Sequence, residues 1–216
     1  MEILEIMEKR HSVRQYLDKR IEDDKRLIID HMVKNINDET GFHFQVFYDE
    51  PKCFNSIMAK YGRFKNANNY ISLVGRKSSD FEERIGYYGE KLVLSLTEIG
   101  LESCWVALTH GKSQAVIDKG EKELIIIAFG HGVNEGVPHK SKSMADLCEY
   151  SFDLPDWFID GMKGVILAPT ALNQQKFYVE FNGGDVKIVS KGGHYSQVDL
   201  GIVKLHFELA SSHIPE

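Results

Sequence analysis

The run Leu124-Ile125-Ile126-Ile127-Ala128-Phe129 constrains the fold more than any other part of the chain. Six consecutive apolar residues, three of them isoleucine, read as a strand, and a strand this apolar has to be covered by other elements. Tyr70–Val74 is a shorter apolar run, ended by Gly75, and reads as a buried strand. The longest helix candidate is Phe81–Gly100. It carries Ile85, Leu92, Val93, Leu96 and Ile99 on one face and has Gly100 as its stop. Residues 2–9 place Ile3, Leu4, Ile6 and Met7 at helical spacing. Residues 23–36 do the same with Leu27, Ile28, Met32 and Val33, after an opening Asp23-Asp24.

Elsewhere the signals are shorter. Gly41 breaks the chain before Phe42–Tyr48, which alternates like a strand. Gly130 to Ser143 is a loop rich in Gly, His and Lys and marks a boundary. Asp156–Met162 suits a short helix, and Asp199–Ala210 closes the chain as another. Phe177–Phe181 and Val186–Val189 flank Asn182-Gly183-Gly184-Asp185, which predicts a β-hairpin with a turn longer than two residues. Helices and strands alternate irregularly, so the expected class is α+β. The stretch from Ile85 to Leu96 can also be laid over Val198 to Leu209, a weak internal repeat of two amphipathic helices.

At 216 residues the chain can form one domain or two intertwined halves. With 43% hydrophobic and 27% charged residues it has a soluble globular composition. A net charge of −6 argues against a nucleic-acid partner. No apolar run approaches the roughly 18 residues of a membrane span, and the charged N-terminus is not a signal peptide. Cys53, Cys104 and Cys148 form no CxxC pair, which fits a reducing, cytoplasmic setting. Apart from His11, the nine histidines are scattered and lack a metal-ligand spacing, so no metal site is expected.

Two segments carry chemistry. Arg10-His11-Ser12-Val13-Arg14 sets two guanidiniums and a hydroxyl side by side just after the first helix. Such a cluster suits a phosphate monoester, which accepts from the planar arginine fork. Ala168-Pro169-Thr170-Ala171-Leu172-Asn173-Gln174-Gln175-Lys176-Phe177 offers amide side chains and turn backbone, which can read the edge of a polar ring. A glycine-rich dinucleotide loop at Gly130–Gly136 is rejected, because Pro138 and lysines follow it instead of a helix.

Together the two segments resemble the FMN-binding signature of the nitroreductase-like flavoproteins, as does Gly100-Leu101-Glu102-Ser103-Cys104-Trp105, similar to that family's GLGSCW stretch. The resemblance implies an α+β nitroreductase-like fold with a mixed or antiparallel sheet and flanking helices. It implies that Arg10, Ser12 and Arg14 hold the ribityl phosphate, that His11 lies against the flavin, and that Arg63 approaches it. Trp105, Ala107 and Leu108 would face the reactive edge, although the Glu-Gly that some members carry there is missing. Lys140 and Lys142 would reach the phosphate.

Pro169, Thr170, Asn173 and Gln175 would line or contact the ring. In most members this last segment follows the arginine cluster closely. Its displacement to the end of the chain implies a fused pseudo-dimer, with residues 1–150 as the FMN-binding half and 151–216 as a degenerate second half. A monomer is then favoured and a homodimer remains an alternative. The implied activity is FMN-dependent, NAD(P)H-driven reduction of a nitroaromatic, a quinone or a similar small electron acceptor, with no side chain named as catalytic. The alternatives are a flavin-binding or sensing protein with little turnover, and a flavin-dependent reductive dehalogenase-like enzyme.

Overall fold

In the computed structural model, which describes residues 2–149 and 154–216, the elements follow in the order α1 (Ile3–Lys9), α2 (Asp23–Thr40), β1 (Gln45–Phe47), α3 (Ile57–Tyr61), β2 (Asn69–Arg76), α4 (Phe81–Glu98), β3 (Glu102–Val106), β4 (Glu121–Gly130), α5 (Met144–Leu147), α6 (Asp156–Leu167), β5 (Phe177–Asn182), β6 (Asp185–Ser190) and α7 (Ser196–Ser211). They fall into two compact units. A sheet unit comprises Lys9–Phe81 and Leu92–Val137, and a helical unit comprises Met1–Glu8, Glu82–Lys91 and Pro138–Glu216. The expected boundary between residues 150 and 151 lies outside the described residues.

In the sheet unit four strands lie in the order β1-β2-β4-β3, all antiparallel. Strand β4 takes an inner position, where the isoleucine run is covered on both faces and Leu124–Gly130 are buried throughout. Strand β2 beside it is buried from Asn69 to Gly75. Tyr16, Phe54, Tyr70, Cys104, Ile126 and Ala128 share one apolar cluster, at roughly 1.5–3 kcal/mol per large side chain buried.

Helix α2 continues to Thr40, past the expected stop. Gly41 closes it in a left-handed conformation (φ 73°), donating its N–H to Asn37 O. The expected strand over residues 42–48 shrinks to the three residues of β1. Phe42 and Phe44 leave the ladder to stack at 4.9 Å, and Phe42 meets the Phe81 ring edge-on. Gly75 makes room for it, since a Cβ there would lie 2.6 Å from the Phe42 ring.

In the helical unit, α7 packs on α6 and on the first half of α4 through glycines. A Cβ on Gly161 would sit 2.5 Å from the Phe207 ring, and one on Gly164 would lie 2.6 Å from His206 O. A Cβ on Gly86 would lie 2.0 Å from Val198 O, and one on Gly201 would lie 1.9 Å from Glu83 O. This last crossing is reciprocal, because each glycine meets the carbonyl three residues before the other. It pairs Gly86 with Gly201, two residues away from the overlay that begins Ile85 on Val198.

At the same junction His206, fully buried, sets Nδ1 3.0 Å from Gly164 O and Nε2 2.9 Å from Glu90 Oε1. The carbonyl can only accept, so Nδ1 carries the hydrogen. The β5–β6 hairpin has a two-residue turn where a longer one was expected. Asn182 pairs with Asp185, and Gly183 and Gly184 supply positive φ at both central positions (65° and 136°).

Candidate functional site

The Arg10–Tyr16 segment runs extended through the sheet unit and is fixed by its backbone. Ser12 bridges Ser103 of β3 in parallel, and Val13 donates to Ser103 O at 2.9 Å. Lys65 donates to Arg14 O and Tyr16 to Lys65 O, both at 3.0 Å, while Leu17 donates to His131 O and Val133 to Gln15 O. The buried Tyr16 anchors the far end, its hydroxyl donating to Val13 O at 2.6 Å. The backbone is therefore tied to β3, to Lys65 and to the His131–Val133 segment, and the side chains differ in exposure. Val13 and Tyr16 point into the core, Ser12 and Arg14 are exposed, His11 is half-buried, and Arg10 is buried at the base with 4% exposure. His11 leans on Gly136, where a Cβ would lie 2.7 Å from its own.

Arg63 and the end of β3 belong to the same unit. Arg63 is exposed in a left-handed conformation (φ 62°), two residues before the Lys65 that pairs with the arginine segment. Its neighbour Gly62 packs against Thr109, where a Cβ would lie 2.6 Å from the threonine Cβ. Trp105 is half-buried on β3, opposite Ile127. Ala107 and Leu108 leave the strand directly afterwards, with Leu108 exposed. Eight of the fourteen expected cofactor-binding residues are thus held by β3 and the chain segments around it.

Sequence reasoning did not foresee the acidic side of this cluster. Glu102, on β3, is half-buried and presses against Gly132. Burial raises its carboxyl to about 7, Glu135 adds to the effect, and Arg10 opposes it. The imidazole of His11 is pushed down by burial and then by Arg10. Arg10, His11, Glu102 and Glu135 therefore form one electrostatic group.

The other six residues lie in the helical unit, where Ala168–Phe177 forms a strap. Leu172, Asn173 and Gln175 all have positive φ (53°, 52° and 44°). For side chains other than glycine this costs about 1–2 kcal/mol each, so the surroundings must impose it. They do so by hydrogen bonds. Gln175, 6% exposed, donates from Nε2 to Lys140 O at 2.9 Å and accepts at Oε1 from Lys142 N at 2.7 Å. Lys142 Nζ donates to Gln175 O at 2.8 Å, Asn173 Nδ2 to Lys140 O at 2.9 Å, and Gln175 N to Thr170 Oγ1 at 3.0 Å.

Asp199, buried in the first turn of α7, accepts from Ala171 N at 2.8 Å and from Gln174 Nε2 at 2.7 Å. The amides of Asn173 and Gln175 and the ammonium of Lys142 thus bond within the chain. Pro169 and Thr170 are half-buried at the start of the strap, and the Lys140 side chain is exposed. No sequence signal marks Asp199 except its place at the start of the last helix.

One further group stands apart from the expected site. His43, Asp118 and Glu121 each bring one potential ligand atom within 4.8 Å of the others. His43 Nδ1 lies 2.9 Å from Glu121 Oε2, which also accepts from Asp118 N at 2.9 Å. An ion pair and a turn account for the arrangement. Among the described residues no helix is long and apolar enough to cross a membrane.

The family described as "Putative TM nitroreductase" matches residues 2–211. The chain belongs to this nitroreductase family. It is thereby an oxidoreductase by descent, and its α+β architecture is the nitroreductase fold. A crystal structure of a "putative nitroreductase" from Thermotoga maritima is similar over 97% of this chain and 83% of that one, with 25% identity and a TM-score of 0.71. Two further structures share the fold. One, from Desulfovibrio desulfuricans and described as in complex with FMN, has 20% identity over 70% of this chain and 98% of its own, with a TM-score of 0.56. The other, from Bacteroides thetaiotaomicron and named for NADH dehydrogenase/NAD(P)H nitroreductase, has 21% identity over 68% and 96%, with a TM-score of 0.53. None of the curated proteins matches the chain.

Proposed function

We propose that this nitroreductase-family chain binds one FMN through the Arg10–Arg14 segment and uses it to carry hydride from NAD(P)H to a small electron-poor acceptor such as a nitroaromatic or a quinone. The observation that carries the reading is that this segment is pinned by its backbone to β3 and Lys65 with Ser12 and Arg14 exposed. Arg14 and Ser12 are exposed, with Arg10 at their base, and the exposed Arg63 lies on the neighbouring segment.

This donor set fits a phosphate ester, because arginine forks and a hydroxyl supply the charge-assisted bonds a phosphate accepts. The cofactor would supply the hydride chemistry, and the chain would bind and orient it. Ala107 and Leu108, placed directly after β3, are the residues proposed to border its reactive edge. Glu102 sets a limit on the fit, since its ionised form would repel a phosphate on Arg10. With its carboxyl raised to about 7, the neutral form is accessible at neutral pH.

The reciprocal Gly86–Gly201 crossing supports the pseudo-dimer reading. In a two-fold interface residue i meets j as j meets i, and here one chain supplies both sides. The working form is then a monomer in the cytoplasm. The test is to purify the protein, size it, and measure bound flavin and NAD(P)H consumption with a nitroaromatic. One equivalent of FMN on a monomeric peak, with steady turnover, is the expected result. A colourless protein that takes up no added FMN removes the reading. Bound flavin without turnover points instead to a flavin-sensing role, and turnover only with halogenated acceptors to a dehalogenase-like one.

A further inference from the structure

His206 on α7 and Glu90, on the stretch of α4 that belongs to the helical unit, face each other with both side chains fully buried. Nδ1 of His206 gives its hydrogen to Gly164 O on α6, at 3.0 Å. Nε2 then lies 2.9 Å from Glu90 Oε1. A ring nitrogen without hydrogen and an ionised carboxylate are both acceptors, and two acceptors do not approach so closely in a dry interior. One proton therefore sits between them. That holds whether the pair is written as imidazolium and carboxylate or as imidazole and carboxylic acid.

We propose that the Glu90–His206 pair is a proton-dependent clasp, in which one proton joins α4 to α7 and its loss loosens the helical unit. Without it a carboxylate faces a nitrogen lone pair with no water to separate them. The strap Ala168–Phe177 leaves the end of α6 and is held at Ala171 and Gln174 by Asp199 of α7. Two of the helices that meet at the clasp thus carry the strap.

The proton count fixes the direction of the response. In an open chain histidine titrates at about 6.5 and glutamate at about 4.3. Between those values the open chain also carries one proton on this pair, and pH has no leverage. Above about 6.5 it carries none, so opening releases a proton and becomes easier by about tenfold per pH unit. Below about 4.3 it carries two, and acid favours opening.

The other charged groups around the clasp are engaged elsewhere or are not buried. On α4, Glu83 accepts from Lys204 of α7, Lys91 lies over the Tyr87 and Tyr88 rings, and Glu82 and Arg84 are half-buried. On α6, Asp160 pairs with Lys163 and Asp156 is exposed. On α7, Glu208 accepts from Tyr87, and Asp199 is bound to the strap. Asp185 and Lys187 of β6, and Glu5 and Glu8 of α1, are exposed.

The alkaline side is the test, on the whole chain and without flavin. In Glu90→Gln the amide nitrogen donates to Nε2 while Nδ1 still serves Gly164 O, so the pair has no proton to lose. Amide hydrogen exchange along α7, corrected for intrinsic rates, reads the opening. From about pH 7 to 8.5 the wild-type opening constant is expected to rise about 30-fold, and that of Glu90→Gln to stay within about threefold. Glu102 and Asp199, raised to about 7 and about 6, are present in both proteins and cancel in the comparison. Proton NMR of the wild type is expected to show two exchange-protected, downfield protons at the His206 ring, one on Nδ1 and one shared with Glu90.

Equal alkaline slopes in wild type and variant overturn the proposal. Should Glu90→Gln fail to fold, the wild-type spectrum decides. A ring that shows only the Nδ1 proton at pH 6 overturns the clasp, and a second protected proton that persists to pH 8 supports it.

Discussion

The two segments that carry the family signature are built in opposite ways. Arg10–Tyr16 is extended and tied by its backbone to β3, Lys65 and Val133, with the side chains of Ser12 and Arg14 exposed. The strap Ala168–Phe177 is bent through three left-handed residues, and its amide side chains are spent on its own geometry. A motif in sequence therefore does not tell whether a given side chain stands free of the fold or serves as a brace within it. Arg14 and Gln175 are equally prominent in the signature, yet one is exposed and the other is 6% exposed with its amide used at both ends.

Substitutions can break or sharpen that contrast. The largest effect is expected from Arg10→Ala with Arg14→Ala. Losing two charge-assisted bonds of about 1.5–3 kcal/mol each should weaken FMN binding at least ~100-fold, seen as loss of the flavin absorbance bands with the fold intact by circular dichroism. Gln175→Ala should act the other way round. It leaves Lys142 N without its buried acceptor and Lys140 O with Asn173 Nδ2 alone, and should cost about 2 kcal/mol of stability in denaturant titration. Its effect on FMN should be several-fold rather than hundred-fold. If Gln175→Ala abolished FMN binding without loss of stability, the distinction between ligand and brace would collapse.

A smaller effect separates the two segments by pH. The folded carboxyl of Glu102 lies above its usual range, so the native state holds more protons than the unfolded chain between about pH 4.5 and 7. Stability from this group therefore falls as pH rises through that window. Glu102→Gln should flatten that part of the profile and reduce the loss of FMN affinity between pH 6 and 8, measured as the difference from wild type. The smallest effect is a control in neither segment. Gly41→Ala meets no atom within 4 Å but must adopt φ 73°, and should cost about 1 kcal/mol in thermal melting.

What could be read from the sequence follows the same physics. The isoleucine run, the Tyr70 strand and the long helix from Phe81 each repeat one signal over many residues, and the structure has them within a few residues. Strand β3 escaped notice because its five residues, Glu102–Val106, are short and begin with a glutamate. The hairpin turn was set too long because two adjacent glycines can serve either as loop or as both centres of a tight turn. The arginine segment was legible as a cluster of donors. Its acidic neighbours and Asp199 were not, because a carboxylate becomes notable only when folding strips its water, and that burial comes from residues far away in sequence.

The glycine crossing of α4 and α7 has a consequence for how errors propagate. In an assembly of two identical chains, every substitution at a symmetric contact is made twice. Here the two sides are separate positions of one polypeptide, so Gly86→Ala and Gly201→Ala are independent lesions. Their contact also forms inside a single molecule, whatever the protein concentration. Dilution cannot loosen it, and each side can be altered while the other stays as it was.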